Sequence, residues 1–303
     1  MTVALLDRVE VDPLAPASRG TWSAHGVQVR RRRGPHRPHS GTCTARFCAR
    51  RRGDCLTVDH DFTAAELSDE LAVLLTDQLS GILRGQADFE LVFTGIVRST
   101  IDGALPAWVR FYRNSLTALE SGAAAFAPVH RRAAELVTGA RLLDLGSCFG
   151  FFPLRLSRLG FDVTASDLSA PTMGLLARVS EQLHRPVRTL ACDATRVPLP
   201  DNAADTVTAL HLLEHLPAAA GDAVLAEALR LARHRVVIAV PFEDEPQVCY
   251  GHIRRFDTAE LVRLGGRARE LHPGVRVTVS EHHGGWLVLD LHRERARLLP
   301  DTP

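Results

Sequence analysis

The sequence predicts an α/β protein whose core is a mostly parallel β-sheet covered by helices on both faces. From about residue 126 onward, helical segments alternate with short, continuously apolar runs, the pattern of strands that are buried on both sides. The last two strands, 275–281 and 286–291, are joined through Gly284 and Gly285, a connection too short for a helical crossover. We therefore expect this final pair to be antiparallel.

The elements of this alternating region follow from apolar spacing and from signals at their ends. Ser169 is expected to cap one helix, and Pro153 near the start with Gly160 just past the end delimits another. Helices are predicted at 126–137, 151–159 and 224–232, and the helix after Ser169 is predicted to carry Met173, Leu176, Val179 and Leu183 on one face. Strands are predicted at 141–145, 163–166, 187–192, 206–210 and 236–240.

The first 120 residues are predicted to form a smaller α+β extension, which precedes the alternating domain at 121–303. Prolines and glycines punctuate its start, which is typical of loose structure. Two runs, 46–49 and 55–58, flank a turn at Gly53–Asp54 and predict a β-hairpin. Thr63 with Glu66 three residues later has the spacing of a capping box and predicts a helix that starts there. A further helix is predicted at 108–119.

Composition and charge exclude several classes of protein. With 36 basic and 35 acidic residues the formal net charge is +1, so a globally basic nucleic-acid binder is not indicated. No apolar run approaches the roughly 20 residues that cross a bilayer, and the N-terminus lacks the features of a secretory signal. We therefore expect a cytoplasmic protein with no membrane or nucleic-acid partner, whose six cysteines are reduced thiols. The oligomeric state is left open.

The segment from Leu142 to Gly150 carries the strongest functional signal. An apolar strand that contains Asp144 runs into a loop bounded by Gly146 and Gly150, and then into a helix. Gly146 lets the backbone approach a ligand closely, and the helix N-terminus offers free N–H groups. Because ligands of open α/β sheets bind at the carboxyl ends of the strands, we expect a ligand at this loop. The alternative is an ordinary strand-to-helix turn.

Two further acidic residues follow the next two strands. Asp167 ends the second strand, where a carboxylate can accept both hydrogens of a ribose diol, and Asp193 ends the third. Each of them alone is more simply explained as a helix cap or a solvated loop residue. Three acids at successive strand ends, in this order, indicate a common ligand.

These residues resemble the first motifs of class I methyltransferases that use S-adenosylmethionine (SAM). The segment 142–150 is similar to their D-x-G-x-G-x-G loop, with Cys148 in place of the middle glycine. The resemblance implies a Rossmann-like sheet of strand order 3-2-1-4-5-7-6 with the last strand antiparallel. It also implies that SAM is the cofactor and that one set of residues binds it, namely Asp144, Gly146, Ser147 and Gly150 at the methionine end, Asp167 and Leu168 at the ribose, Asp193 and Ala194 at the adenine, and His211 in the pocket wall.

Candidates for the chemistry follow the fourth and fifth strands. Methyl transfer to a hydroxyl needs alignment of the reacting groups and a base. The resemblance makes His215, His252 and Glu243 the candidate bases. Alternatively, His211 and His215 have a purely structural role and cap or orient the next helix. The acids at 243–245 are alternatively a Mg²⁺ ligand set, a support for sugar hydroxyls or a solvated loop.

Other polar groups carry weaker signals. Cys43, Cys48 and Cys55, even with neighbouring histidines, do not have the spacing of a zinc site, so we predict no metal ligands. The arginine runs at 30–33 and 50–52 are predicted to be solvated faces.

Several longer sequence segments resemble the methyltransferases of the mycofactocin system, which act on a peptide-derived redox cofactor decorated with a glucose oligosaccharide. These segments lie in both the extension and the domain, at 93–100, 111–115, 145–153, 240–246 and 281–286. The resemblance implies O-methylation of a glucose hydroxyl of glycosylated mycofactocin, with residues 1–120 covering the acceptor site. Trp286 is expected to be a core residue or, if exposed, a platform for a sugar ring. Two other functions stay open: a small-molecule N-, C- or carboxyl-methyltransferase, and a non-catalytic SAM- or nucleotide-binding regulator.

Overall fold

The computed structural model describes residues 11–32 and 41–291. The extension begins with a five-stranded sheet of order β1-β2-β5-β4-β3, in which only β2 and β5 are parallel. Its strands are β1 (Thr21–Ala24), β2 (Val27–Arg31), β3 (Thr42–Cys43), β4 (Phe47–Arg52) and β5 (Cys55–His60). Three helices follow, α1 (Glu70–Leu79), α2 (Gln86–Thr100) and α3 (Ala104–Ser121).

The predicted hairpin is confirmed. Strands β4 and β5 are antiparallel, and Arg52 pairs with Cys55, so that Gly53 and Asp54 form a two-residue turn. Gly53 has φ +58°, the left-handed conformation that such turns require and that glycine adopts without strain.

The predictions for the helices of the extension need two corrections. Thr63 does donate to the Glu66 carboxylate, from N at 2.9 Å and from Oγ1 at 2.6 Å, but this interaction closes an isolated turn. The helix begins only at Glu70. Helix α2 was not predicted, because residues 91–100 are all buried and the segment therefore has no polar face to reveal a helical period.

A disulfide bond links Cys43 to Cys48, so the prediction that all six cysteines are reduced is wrong for this pair. The two residues stand opposite each other in the β3–β4 register, with their Cα atoms 4.1 Å apart. This spacing could not be recognised without the strand pairing. The sequence alone shows only two cysteines five residues apart.

The arginine runs are engaged within the chain more than predicted. Arg30 pairs with Asp59 and Arg51 with Asp88, and Arg31 donates to the carbonyl of Thr100. Arg33, at the end of the first run, lies outside the described residues.

The alternating domain contains the predicted sheet. Its strands are β6 (Arg141–Leu145), β7 (Asp162–Asp167), β8 (Arg188–Ala191), β9 (Ala204–Leu210), β10 (Ala232–Val240), β11 (Arg276–Glu281) and β12 (Gly285–Asp290). They lie in the order β11-β12-β10-β9-β6-β7-β8, which is 3-2-1-4-5-7-6 counted from the other edge. Strand β12 is antiparallel to both of its neighbours, and the remaining pairs are parallel. Both the strand order and the antiparallel seventh strand are confirmed.

Up to residue 291, where the description of the domain ends, five helices cover this sheet: α4 (Ala127–Leu136), α5 (Phe151–Arg158), α6 (Ala170–Leu183), α7 (Ala218–Leu231) and α8 (Thr258–Leu271). Ser169 accepts a hydrogen bond from the N–H of Thr172 at 3.3 Å, which confirms the predicted cap of α6. None of the helices among the described residues is long and apolar enough to cross a membrane.

Trp286 belongs to the core. Its side chain is buried and packs in a cluster with Val129 and Ala133 of α4, and Nε1 donates to the carbonyl of His282 at 2.8 Å. The alternative of an exposed platform for a sugar ring is therefore wrong.

Candidate cofactor and acceptor site

The loop after β6 has the conformation that its glycines predict. Gly146 and Gly150 have φ values of +67° and +70°, and Gly150 is the residue from which α5 starts. A side chain at Gly146 would meet Leu212 at 2.6 Å, and one at Gly150 would meet Leu176 at 2.4 Å. Ser147 stabilises the loop through a hydrogen bond within it, in which its hydroxyl donates to the carbonyl of Asp144 at 3.0 Å. The positive φ values thus favour glycine at both positions, and a side chain at either would have to displace the end of a leucine side chain.

Cys148 occupies the position of the middle glycine in the D-x-G-x-G-x-G loop that this segment resembles. Its backbone nevertheless has a positive φ, the conformation that favours glycine. Its φ is +48°, which for a residue with a side chain costs roughly 1–2 kcal/mol. The side chain is solvent-accessible, but partial desolvation and the negative charges of Asp167 and Asp69 raise the pKa of its thiol. At neutral pH this is therefore a protonated thiol in the loop.

Asp144 is buried at the carboxyl end of β6. Its Oδ1 accepts a hydrogen bond from the hydroxyl of Thr208 on the neighbouring strand β9, at 2.5 Å. Burial raises the pKa of this carboxyl to about 6, and the charge of Asp167 adds to the rise, although hydrogen bonds from Thr208 and Ser147 oppose it. A positively charged ligand beside Asp144 would offset this penalty for the ionised form.

Asp167 connects two loops. Its Oδ2 accepts from the N–H of Cys148 at 3.0 Å, and its Oδ1 accepts from the N–H of Ser169 at 2.9 Å. The next residue, Leu168, is 46% exposed although it is apolar, so it offers an apolar surface beside the carboxylate predicted to hold the ribose. The carboxylate thus has a structural role in addition to any contact with a ligand.

Asp193 and Ala194 lie beside Asp167 at the end of β8. The N–H of Cys192 donates to the carbonyl of Asp167 at 2.9 Å and so holds the two strand ends together. Asp193 is exposed, and its Oδ1 accepts from both the N–H and the hydroxyl of Thr195 at 2.8 Å. The structure therefore brings the predicted acids together along one edge of the sheet.

We expect Asp167→Ala to weaken binding of S-adenosylhomocysteine, because it removes the carboxylate predicted to hold the ribose. Loss of a hydrogen bond to a charged group corresponds to roughly a 10- to 100-fold rise in Kd, measured by calorimetry. The control is Asp162→Ala, an exposed acid at the amino end of the same strand, which should keep wild-type affinity. Unchanged affinity in Asp167→Ala would remove Asp167 from the site.

A second group of polar side chains lies at the carboxyl end of β9. His211 has φ +53°, its ring contacts Phe126 at 4.6 Å between centroids, and its Nδ1 lies 3.3 Å from Oε1 of Glu214. Glu214 sits in a single 3-10 turn (Leu213–His215) and its side chain is completely buried. The carbonyl of Glu214 accepts from the N–H groups of Ile253 and Arg254, which anchors the later segment to this turn.

The three predicted base candidates meet next to Glu214. His252 Nδ1 lies 2.8 Å from Oε2 of Glu243, and the rings of His215 and His252 have centroids 4.8 Å apart. His215 Nδ1 faces the carbonyl of Gly251 at 3.3 Å. Glu214 itself was not predicted to be functional, although the spacing His211-x-x-Glu214-His215 would have placed it in the same turn as both histidines.

The extension contacts the cofactor loop through an aromatic cluster around Phe149. The ring of Phe149 lies within 5.4–6.1 Å of the rings of Phe93, Trp108, Phe111 and Tyr112, measured between centroids. These four residues belong to α2 and α3. Because Phe149 directly follows Cys148, the extension packs on the loop itself.

The extension also contacts the segment that carries His252. Phe89 of α2 packs edge-on against Tyr250 at 5.4 Å between centroids, and the Tyr250 hydroxyl donates to the carbonyl of Ala72 in α1 at 3.5 Å. Tyr250 and His252 have ring centroids 5.8 Å apart. Helices α1 and α2 therefore lie beside the polar group at the end of β9.

Asp69, just before α1, is a residue of this region that the sequence did not reveal. An acid at a helix start is typical of a cap, but the Asp69 carboxylate makes no capping hydrogen bond. Burial, together with the charge of Glu70, raises its pKa to about 6. Its own charge contributes to raising the pKa of Cys148 and of Tyr250, so it acts on both the loop and the segment before His252.

Comparison with known proteins identifies the domain that carries these features. Residues 143–240 match the family model described as a methyltransferase domain. A SAM-dependent methyltransferase of Aquifex aeolicus is 18% identical over 58% of this chain and 97% of its own, with a TM-score of 0.43. The magnesium protoporphyrin IX methyltransferase of Synechocystis with bound SAM is 16% identical over 61% of this chain and 82% of its own, with a TM-score of 0.41. No curated protein matches this chain.

The match over 143–240 identifies a methyltransferase domain within this chain, and the strand order is the one expected of class I methyltransferases that use SAM. The protein is an enzyme of the methyltransferase class, and its cofactor is SAM. When bound, SAM supplies a methyl group on a positively charged sulfur. The residues present fit such a molecule, because a buried carboxylate with a raised pKa, Asp144, lies one strand from the carboxylate of Asp167 and the exposed face of Leu168.

Proposed function

We propose that this protein is an O-methyltransferase that methylates a glucose hydroxyl of the mycofactocin oligosaccharide. The choice of acceptor is supported by the sequence segments, in both the extension and the domain, that resemble the mycofactocin methyltransferases. The choice of oxygen as the methylated atom is supported by one structural observation, the contact between His252 and Glu243 at the carboxyl ends of the central strands.

That contact suits removal of a proton from a hydroxyl. Since a carboxylate only accepts, Nδ1 of His252 carries the hydrogen, and Nε2 of the neutral ring has the lone pair. In this proposal Nε2 of His252 accepts the hydroxyl proton, and Glu243 stabilises the resulting imidazolium. His215, packed against the His252 ring, is the alternative acceptor of the proton.

The remaining predicted residues position the cofactor in this proposal. Asp144 faces the positively charged methionine end, and the loop residues Gly146, Ser147 and Gly150 surround it. Asp167 and Leu168 bind the ribose, Asp193 and Ala194 the adenine, and His211 forms part of the pocket wall. The chain thereby aligns the methyl group with the acceptor oxygen, the main requirement of such a transfer.

Residues 1–120 are proposed to cover the acceptor. This proposal is supported by the contacts of α1 and α2 with Tyr250 and by the aromatic cluster around Phe149. An extension in this place can exclude water and provide a groove for an oligosaccharide. Asp69 is the acidic side chain of the extension that we place in this groove.

The experiment is a mass spectrum of glycosylated mycofactocin after incubation with the protein and SAM. We expect the glycan fragment to gain the mass of one CH₂ group, and only when SAM is present. A gain located on nitrogen, carbon or a carboxylate would favour the alternative methyltransferase. Salt-dependent retention on DNA without any turnover would favour the non-catalytic regulator.

A further inference from the structure

Three side chains at the end of β9 are arranged as ligands of a single ion. One carboxylate oxygen of Glu214 and one ring nitrogen each of His215 and His252 lie within 4.8 Å of one another. We call these three residues the Glu214 cluster. Glu214 and His215 come from the 3-10 turn after β9, and His252 follows a second 3-10 turn (Val248–Tyr250). The backbone bonds from Ile253 and Arg254 to the carbonyl of Glu214 hold the two turns together.

The Glu214 carboxylate has no hydrogen-bond donor within the described part of the chain. Its side chain is 0% exposed, and neither Oε1 nor Oε2 has a hydrogen-bond partner. The nearest basic atoms are Nδ1 of His211 at 3.3 Å and Nε2 of His252 at 4.0 Å, both from imidazole rings. A buried ionised carboxylate is strongly unfavourable unless a cation balances it. We therefore expect a positive charge between the Glu214 carboxylate and the imidazole rings beside it.

The two histidines of the cluster are oriented as metal ligands are. His252 Nδ1 contacts both oxygens of Glu243, at 2.8 and 3.0 Å, and His215 Nδ1 faces the carbonyl of Gly251 at 3.3 Å. Carboxylate and carbonyl oxygens only accept, so Nδ1 carries the hydrogen in each neutral ring and Nε2 carries the lone pair. An imidazole fixed through its other nitrogen by a carboxylate is the usual support of a metal-binding histidine.

We propose that Glu214, His215 and His252 bind one divalent transition-metal ion and that Glu243 orients His252 toward it. Two imidazoles and one carboxylate favour ions such as Zn²⁺, Mn²⁺ or Fe²⁺ over Mg²⁺ and Ca²⁺, which prefer oxygen ligands. The site replaces the expectation that no residue of this chain ligates a metal. It also explains why Glu214 is buried without a donor.

The role of the ion rests on the proposed function. Three protein ligands leave coordination positions for a hydroxyl of the acceptor. A hydroxyl bound to the ion loses its proton to solvent water more readily. The oxygen then forms the C–O bond to the methyl group, while the S–C bond breaks and its electron pair returns to sulfur. His252 in this form is a ligand and does not accept the proton.

Metal binding is tested directly on the full chain after treatment with a chelator. Mn²⁺ is titrated and followed by electron paramagnetic resonance, and Zn²⁺ by calorimetry. We expect one ion per chain and a loss of affinity of about 100-fold in Glu214→Gln, which keeps the shape but removes the charge. The matched control is Glu245→Gln, an exposed acid of the loop next to Glu243, which should bind the ion as the wild type does.

Two results would overturn the site: absence of binding to the wild type at millimolar Mn²⁺ and Zn²⁺, or equal binding by Glu214→Gln. Retained affinity for S-adenosylhomocysteine shows that the variant is folded. If Glu214→Gln does not fold, anomalous diffraction from Zn²⁺-soaked crystals decides, because the peak must lie between Glu214, His215 and His252.

The catalytic role and the proposed function fail in different ways. Full methylation of glycosylated mycofactocin in the presence of chelator would refute the role of the ion and leave the function standing. Stoichiometric metal binding without any methylation of that glycan would refute the acceptor and leave the site standing.

Discussion

Asp144→Asn is expected to stabilise the protein at pH 7 and at the same time to weaken cofactor binding. Burial raises the pKa of Asp144 from its ordinary value of 3.8 to about 6. The unfolded chain therefore holds fewer protons than the folded chain between these values, and the free energy of unfolding falls as the pH rises through that window. At pH 7 the ionised side chain costs about 3 kcal/mol, which the neutral amide avoids.

The same substitution removes the negative charge that we place beside the ammonium group of the methionine end, which SAM and S-adenosylhomocysteine share. The Kd for S-adenosylhomocysteine should rise roughly 10- to 100-fold, as expected for loss of a charged hydrogen-bond partner. Urea denaturation at several pH values checks the stability, and calorimetry checks the affinity. The two effects have opposite signs, so misfolding cannot produce both.

Asp205→Asn is the matched control for Asp144→Asn. Asp205 is also buried, but at the amino end of β9, and its Oδ2 accepts from the N–H groups of Ala140 and Arg141 at 3.0 Å each. Although burial alone would raise its pKa, these bonds and the Arg141 guanidinium lower it. We expect Asp205→Asn to destabilise the protein and to leave cofactor affinity unchanged. A stable Asp144→Asn variant that binds normally would contradict the assignment of Asp144.

His252→Gln should reduce kcat by about 100- to 10,000-fold and leave affinity for S-adenosylhomocysteine unchanged. The expectation holds whether His252 accepts the hydroxyl proton or binds an ion that activates the hydroxyl, since both roles act on the acceptor and not on the cofactor. Turnover is measured by the gain of CH₂ mass on the acceptor, and cofactor affinity by calorimetry. An exposed histidine of the last turn, His282→Gln, is the control.

Glu243→Gln separates orientation of His252 from loss of His252. The amide can no longer accept as a carboxylate, so the ring is held less firmly and kcat should fall about 10- to 100-fold, the usual effect of removing such a support. The neighbouring variant Glu245→Gln should keep wild-type turnover. Equal turnover in Glu243→Gln and the wild type would remove Glu243 from the site.

Local sequence patterns were sufficient to predict the sheet of the domain and the conformation of the loop after its first strand. The alternation of apolar strands and helices predicted the sheet. Asp144 and Asp167, each at the end of its strand, predicted the edge of the sheet at which we place the cofactor. The sheet and the loop conformation could be predicted because each depends on residues close together in the chain, such as a glycine that allows a loop. The same local evidence was misleading at Thr63, where a genuine capping interaction closes only one turn.

The acceptor side of the site depends on residues that are far apart in the chain. The sequence by itself determined the sheet, the cofactor loop and the class of reaction, because short-range patterns encode them. Only the tertiary structure placed His252 beside the buried Glu214, placed Glu243 beside His252, and paired Cys43 with Cys48. The physical reason is that burial, charge compensation and strand register are properties of neighbours in space, and no local pattern specifies which neighbours will meet.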